Sequence, residues 1–271
     1  MIYFSMVIIM EENQVNNQSQ VNQITNGITN ILIYILFMYG FDIIISIVIK
    51  SIVEDAYLRQ GLLNFVSYVI LLTVLLIYNL NLFKGKFKEL IHSKKLQKNI
   101  LLNFLIVFAV TFVCSNVIAN FQTIYNSLVT LNAPVNAFNI INQNNFIITS
   151  SDNQNLIVDL LHNKSTFLIT LLSAVALGPV VEELIFRHSL FALFKKEEIG
   201  LLVSSILFSM VHIISSLGNF NFPSIALMFI DYAISGLLFG IVYLKSNKNF
   251  LVTTAIHMLY NALSILLVLV L

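Results

Sequence analysis

The sequence of 271 residues contains few of the residues that cover a water-exposed surface. Only 10% of the residues are Asp, Glu, Lys or Arg, whereas a soluble domain carries about a quarter. Hydrophobic residues make up 58% of the chain, and the mean hydropathy is +0.89. The shortage of charge excludes a soluble globular protein and predicts a polytopic membrane protein.

Two further shortages exclude other classes of protein. The chain has a single cysteine, Cys114, which lies in an apolar run. One cysteine excludes a disulfide framework and a zinc site built from cysteines. The net charge of +1 excludes a general nucleic-acid binder, because such a protein needs a concentrated basic face.

The apolar runs are long enough to predict membrane-spanning helices, which need about 20 residues each. Seven runs qualify, and they cover residues 28–53, 61–83, 99–119, 166–194, 199–217, 223–244 and 250–271. We therefore predict an all-α transmembrane bundle of seven helices. An eighth would require the leader MIYFSMVIIM or the 120–165 segment to contribute.

These runs divide the chain into four predicted parts. Residues 1–27 form an N-terminal leader and polar tail, in which the Asn- and Gln-rich stretch 11–26 predicts disorder and translation could start at Met1 or at Met10. Residues 28–119 form three transmembrane helices. Residues 120–165 form an extracytoplasmic loop that could carry an interfacial helix, and residues 166–271 form a four-helix core.

The lysines predict an orientation. The segments 84–98, 195–196 and 245–248 hold ten of the 14 basic residues. Because cytoplasmic loops are enriched in Lys and Arg, we expect these segments inside, with a cytoplasmic N-terminus and an extracytoplasmic C-terminus. The heavy use of Asn, Ile and Lys favours a bacterial source and hence the bacterial cytoplasmic membrane. The expected partners are the lipid bilayer and a membrane-associated peptide or protein, and the oligomeric state stays open.

Ionisable side chains inside a bilayer are costly and so indicate functional sites. They are concentrated in the last four predicted helices, whereas the first three contain Asp42 and little else. At a rise of about 1.5 Å per residue, the main group falls within one slab of the membrane and could meet in one site. Its members are Glu182, Glu183, Arg187, His212, His257 and Asn261.

The spacing within the helices predicts roles. Glu183 and Arg187 are four residues apart, so they can form an ion pair that keeps Glu183 charged. Glu182 points about 100° away and can face a neighbouring helix. These groups suit hydrolysis of an acyl bond, in which a glutamate helped by His212 deprotonates a water. His257 and Asn261 would then donate hydrogen bonds to the oxyanion.

A zinc site is the alternative reading of the same residues. Glu182, His212 and His257 could bind the ion, since two histidines and a carboxylate are a common catalytic set. They come from three separate helices, and the HExxH signature is absent. The residues alone do not separate the two mechanisms.

Three motifs in this order resemble the CPBP family. EExxxR lies at 182–187, FxxxH at 208–212 and HxxxN at 257–261. This family contains the CAAX-protease and bacteriocin-processing (Abi) intramembrane proteases, which are related to the type II CAAX prenyl endopeptidases. The resemblance covers about residues 166–271.

The resemblance implies Glu182 as the base, aided by His212, with His257 and Asn261 at the oxyanion. It makes Glu183 and Arg187 supporting residues. It leaves both a metallo- and a glutamate mechanism open, so the expected cofactor is either none or zinc.

The predicted function is therefore an intramembrane endopeptidase, with two alternatives. A catalytically silent bacteriocin-immunity or partner-binding protein would not need to retain every polar residue of the motifs. A proton-coupled transporter often has broken helices in both halves, whereas the polar residues here crowd into the C-terminal half. The sequence does not identify the substrate.

Overall fold

The computed structural model describes the backbone of residues 2–131, 152–218 and 222–270, and these residues form helices and no strands. The helices are α1 (Ile2–Leu36), α2 (Asp42–Ile52), α3 (Ala56–Tyr78), α4 (Leu80–His92), α5 (Lys94–Leu131), α6 (Asp152–His162), α7 (Phe167–Leu172), α8 (Gly178–Glu182), α9 (Glu197–Ile213), α10 (Phe222–Lys245) and α11 (Phe250–Val270). Short π-helical segments join α1 to α2 and α7 to α8, and a third follows α8.

Seven stretches are long and apolar enough to cross a membrane, which confirms the predicted all-α polytopic bundle. They are Gln20–Ile52, Ala56–Tyr78, Lys94–Tyr125, Phe167–Ser189, Glu197–Gly218, Phe222–Lys245 and Phe250–Val270. No eighth span occurs within the described ranges. The chain is an integral membrane protein.

The polar stretch 11–26 is helical, although its composition predicts disorder. It belongs to α1, which runs without interruption into the first span. The stretch contains neither Pro nor Gly, and glutamine is a good helix former, so a helix started in the membrane can extend through it. Thr25 and Thr29 donate their hydroxyl hydrogens to carbonyls one turn back, at 2.9 Å each.

Two predicted loops also contain helix. The lysine-rich segment 84–98 is occupied by α4 and the start of α5. In the predicted loop 120–165, α5 continues to Leu131 and α6 covers Asp152–His162. Residues 132–151 of that loop lie outside the described residues.

The basic segments lie together at one end of the bundle. Asn249 donates to the carbonyl oxygen of Lys86 in α4 at 3.0 Å. Lys248 forms an ion pair of 2.8 Å with Glu197 at the start of α9, just after Lys196. These contacts join α4, the α10–α11 turn and the segment before α9, which are the three segments that carry most of the positive charge.

The N-terminal helices share a buried core with the C-terminal ones. One apolar cluster includes Tyr34, Leu71 and Leu75 from α1 and α3 together with Val181 and Phe208. A buried polar contact crosses the same boundary. The amide of Asn30 donates to Ser189 Oγ at 3.0 Å, and the amide of Asn79 donates to Asn30 Oδ1 at 2.8 Å. The N-terminal helices therefore pack directly on the span that carries Glu182.

Candidate functional site

The fourth span departs from regular α-helix on both sides of α8. Ser173–Leu177 and Glu183–Ser189 are π-helical. In the first segment the Gly178 N–H donates to the carbonyl of Ser173, five residues back. The same register would pair Pro179 with the carbonyl of Ala174, but proline has no N–H. The carbonyl of Ala174 therefore lacks a backbone donor in this register.

The side chain of Asn261 supplies the missing hydrogen bond to this carbonyl. Its amide nitrogen Nδ2 donates to the carbonyl oxygen of Ala174 at 2.8 Å. The contact fixes one turn of α11 against the π-helical segment. An amide NH₂ carries two hydrogens, so one remains for another acceptor.

Glu183 and Arg187 form a fully buried ion pair, as their spacing predicts. Nε of Arg187 lies 3.3 Å from Oε2 of Glu183, and both side chains are 0% exposed. Nη1 of Arg187 donates to Ser204 Oγ at 2.9 Å, and this hydroxyl donates to the carbonyl of Phe186 at 2.6 Å. The guanidinium also lies 4.8 Å from the centre of the Phe208 ring. Arg187 is thereby held in place from two helices.

Glu182 meets the two histidines of the motifs. Its Oε2 lies 3.8 Å from Nε2 of His212 and 3.9 Å from Nε2 of His257. The Glu182 and His212 side chains are 15% and 19% exposed, whereas His257 is 5% exposed. The structure thus brings one carboxylate and two imidazoles together from α8, α9 and α11.

The other ring nitrogen of each histidine has its own partner. Nδ1 of His212 lies 2.8 Å from the carbonyl oxygen of Phe208. Because a carbonyl can only accept, Nδ1 of His212 carries the proton. Nδ1 of His257 lies 3.0 Å from Oε1 of Glu183, and a charged carboxylate likewise requires a proton on that nitrogen. Both rings therefore present Nε2 to Glu182.

The distances between the candidate ligand atoms test whether these residues could bind zinc. Two ligand atoms of a tetrahedral zinc site are roughly 3.4 Å apart, given bond lengths of about 2.0–2.1 Å. Oε2 of Glu182 is farther than that from both imidazoles. Among the described residues, no group of three or more His, Cys, Asp or Glu is arranged to hold a metal ion. As placed, Glu182, His212 and His257 do not fit a zinc site.

The N-terminal helices contribute two tyrosines that sequence reasoning missed. Tyr68 in α3 lies with Oε1 of Glu182 around Gly178, and Tyr34 in α1 packs edge-on against Phe186, one turn after Glu182. The sequence offered only a weak signal, since a tyrosine within an apolar span resembles ordinary packing. Asp231, in contrast, accepts a hydrogen bond of 2.6 Å from Ser115 and so ties α10 to α5.

The comparisons with known proteins point to one protein family. Residues 164–263 match the family described as type II CAAX prenyl endopeptidase Rce1-like. This region belongs to the CPBP family. The match contains all three motifs and every predicted site residue. No curated protein and no solved structure matches the chain.

The CPBP assignment relates the chain to CAAX-type intramembrane proteases. It gives no support to the partner-binding or transporter alternatives. The fold agrees with the assignment, since the matched region contains the last four spans up to the middle of α11.

Proposed function

We propose that the protein is an intramembrane endopeptidase that hydrolyses a peptide bond of a membrane-associated peptide or protein. The observation that carries the proposal is the separation of Glu182 Oε2 from the two histidine Nε2 atoms, at 3.8 and 3.9 Å. Polar atoms separated by more than about 3.5 Å are commonly bridged by water. A water that bridges Glu182 to His212 and His257 would contact Glu182, which is the base that must deprotonate it.

The reaction then follows from Glu182 as general base. Glu182 takes a proton from the water, and the water oxygen bonds to the carbonyl carbon of the peptide. The C=O electron pair moves to oxygen and gives a tetrahedral oxyanion. The oxyanion electron pair re-forms the C=O bond as the C–N bond breaks with its electron pair on nitrogen, and Glu182 returns the proton to the leaving amine. One peptide bond and one water give one carboxylic acid and one amine.

The two histidines have different roles in this proposal. A neutral His212 with its proton on Nδ1 has a lone pair on Nε2, which accepts from the water and orients it. His257 donates from Nε2 to the oxyanion, which requires the doubly protonated, positively charged ring. Glu183 is its counter-ion. With His257 charged, the formal charges of Glu182, Glu183, Arg187 and His257 sum to zero.

Asn261 supplies the second donor to the oxyanion. Its bond to Ala174 fixes the amide plane, and the remaining N–H is free to bind the developing charge. Fixed donors stabilise an oxyanion more than mobile ones because they need no reorganisation. Glu183 and Arg187 support this arrangement by holding His257.

We propose a mechanism without metal. The spacing of the three candidate ligands supports this choice. Rescue of a chelated enzyme by zinc would replace this proposal with a metallo-mechanism.

We also propose that the basic end of the bundle faces the cytoplasm of a bacterial cell. The contacts that join the three basic segments support a single cytoplasmic face. Glu182 lies seven residues before the end of its span at Ser189, or about 10 Å along a helix. Substrate would then be cleaved nearer the cytoplasmic side.

The test is cleavage of a library of membrane-anchored peptides by the purified protein in liposomes. Wild type, Glu182→Gln and His212→Ala are compared with Glu198→Gln, which changes an exposed glutamate at the start of α9. We expect cleavage by wild type and the Glu198 variant, loss in the other two, and no effect of a strong chelator. Equal cleavage by wild type and Glu182→Gln would overturn the proposal.

A further inference from the structure

The two carboxylate oxygens of Glu182 face different surroundings. Oε2 is directed to the imidazoles of His212 and His257. Oε1 lies on the side of Gly178 and Tyr68. A Cβ added to Gly178 would lie 3.6 Å from Oε1 and 3.8 Å from Cζ of Tyr68, the carbon that carries the hydroxyl. The absence of a side chain at Gly178 therefore keeps the space between Tyr68 and Glu182 open.

Tyr34 approaches from a second helix. Its ring meets the Phe186 ring edge-on, with centroids 6.2 Å apart, and Phe186 lies one turn after Glu182. Tyr34 and Tyr68 therefore approach Glu182 from α1 and α3. Neither hydroxyl has a hydrogen-bond partner within the part of the chain that the structure describes.

We infer that Tyr68, with Tyr34 beside it, is a positioning residue for Glu182. The Tyr68 hydroxyl donates to Oε1 through one water and thereby keeps Oε2 turned to the histidines. A hydrogen bond to the charged form stabilises that form, which matters for a carboxylate in a membrane. The effect of Tyr68 on catalysis rests on the proposed function, but the water-mediated hydrogen bond between Tyr68 and Glu182 does not.

Other groups act on Glu182 as well, and the test must leave them unchanged. Its titratable and charged neighbours are His212 of α9, His257 of α11, Glu183 and Arg187 of its own span, and Asp42 beside the two tyrosines. Tyr→Phe substitutions remove only a hydroxyl and leave this set in place.

The contact is tested by labelling Glu182 with a hydrophobic carbodiimide, which adds to a protonated carboxyl, across a pH range in liposomes. Labelling at Glu182 is quantified by mass spectrometry, with Glu182→Gln as the blank. Loss of a hydrogen bond to a charged group should move the labelling midpoint of Tyr68→Phe upward by about one pH unit. We expect a smaller shift in the same direction for Tyr34→Phe.

Tyr78→Phe is the matched control, because Tyr78 lies on the same helix and donates to Asn26 instead, at 3.1 Å. A Tyr68→Phe titration that superimposes on that of Tyr78→Phe would overturn the inference. This measurement needs no catalytic activity, so it decides the role of Tyr68 even if the proposed protease function fails.

Kinetics provide the second measurement. Tyr68→Phe should lower kcat about tenfold while KM stays within about twofold, because the base is misaligned and the substrate still binds. Wild-type kcat in Tyr68→Phe, together with cleavage that still depends on Glu182, would overturn the inference and leave the protease function intact.

Discussion

His257 and Glu183 form the contact that connects the third motif to the first, with Nδ1 of the ring 3.0 Å from Oε1 of the carboxylate. The opposite nitrogen of the same ring faces Glu182 at 3.9 Å. Adjacent carboxylates thus lie on opposite sides of one imidazole. Glu183 is fully buried against Arg187, whereas Glu182 is partly accessible. The same substitution should therefore have different effects at the two positions.

We expect Glu183→Gln to destabilise the protein and Glu182→Gln to inactivate it. Glu183→Gln leaves the buried Arg187 cation without its carboxylate, which lowers the free energy of unfolding by about 3–5 kcal/mol. Glu182→Gln removes no ion pair shorter than 3.8 Å and should lower the free energy of unfolding by less, about 1 kcal/mol. Unfolding in mixed micelles and peptide cleavage measure the two effects. Equal losses of stability would contradict this division of roles.

Ser204 should contribute to stability through Arg187. Ser204→Ala removes the acceptor of an Arg187 N–H and the donor to Phe186. Leaving a buried cationic donor unpaired should lower the free energy of unfolding by about 1–3 kcal/mol.

The adjacent serine is the control for this prediction. Ser205 is equally buried, but its hydroxyl donates to Leu201 one turn back on its own helix, at 2.7 Å. Ser205→Ala should leave the unfolding free energy within about 0.5 kcal/mol of wild type. Similar losses for both serines would show that burial of the hydroxyl, and not its bond to Arg187, determines the effect.

Asn261 should affect the catalytic rate. Asn261→Asp keeps the size of the side chain but removes both N–H donors, so kcat should fall about 100-fold or more, as for the loss of an oxyanion donor. Asn116→Ala is the control, because Asn116 also donates to a backbone carbonyl, at 2.7 Å, but one turn back on its own helix, α5. An Asn261→Asp enzyme with normal kcat would remove Asn261 from the proposed mechanism.

The sequence predicts the spans and the Glu183–Arg187 pair because both depend on local rules. Span length follows from the thickness of the bilayer, and a separation of four residues places two side chains on one helix face. Glu182, His212 and His257 come from three helices, so their meeting could be predicted only from their similar depth and the order of the motifs.

Other features depend on contacts between distant residues. The free carbonyl at Ala174 results from a π-helical register, and its partner Asn261 lies 87 residues away. The tyrosines near Glu182 are separated from it by more than 100 residues, and nothing in their own spans distinguishes them from packing residues. The polar stretch 11–26 is helical because it continues the helix of the first span. Its composition does not reveal this continuity.

Glu89 provides a pH-dependent contact at the basic end of the bundle. Its Oε1 accepts from Asn247 at 2.7 Å, and its Oε2 pairs with Lys86 at 3.0 Å. Burial by itself would raise the pKa of Glu89, but the hydrogen bonds from Asn247 and Lys86 outweigh it and lower the pKa. Glu89 therefore stabilises the folded protein when it is charged, by attaching α4 to the α10–α11 turn.

This lowered pKa determines the direction of the pH effect. The stabilisation is fully present above the pKa of the unfolded chain, near 4.3, and is lost as the pH falls through the lower folded value. Over that range the unfolding free energy of wild type should fall by up to about 1 kcal/mol relative to that of Glu89→Gln. The effect is this small because the Glu89 side chain is partly exposed. The measurement is the unfolding free energy in nonionic micelles at a series of pH values, with Glu198→Gln as the control. A difference between wild type and Glu89→Gln that stays constant, or that grows on acidification, would show that the Glu89 charge does not stabilise this contact.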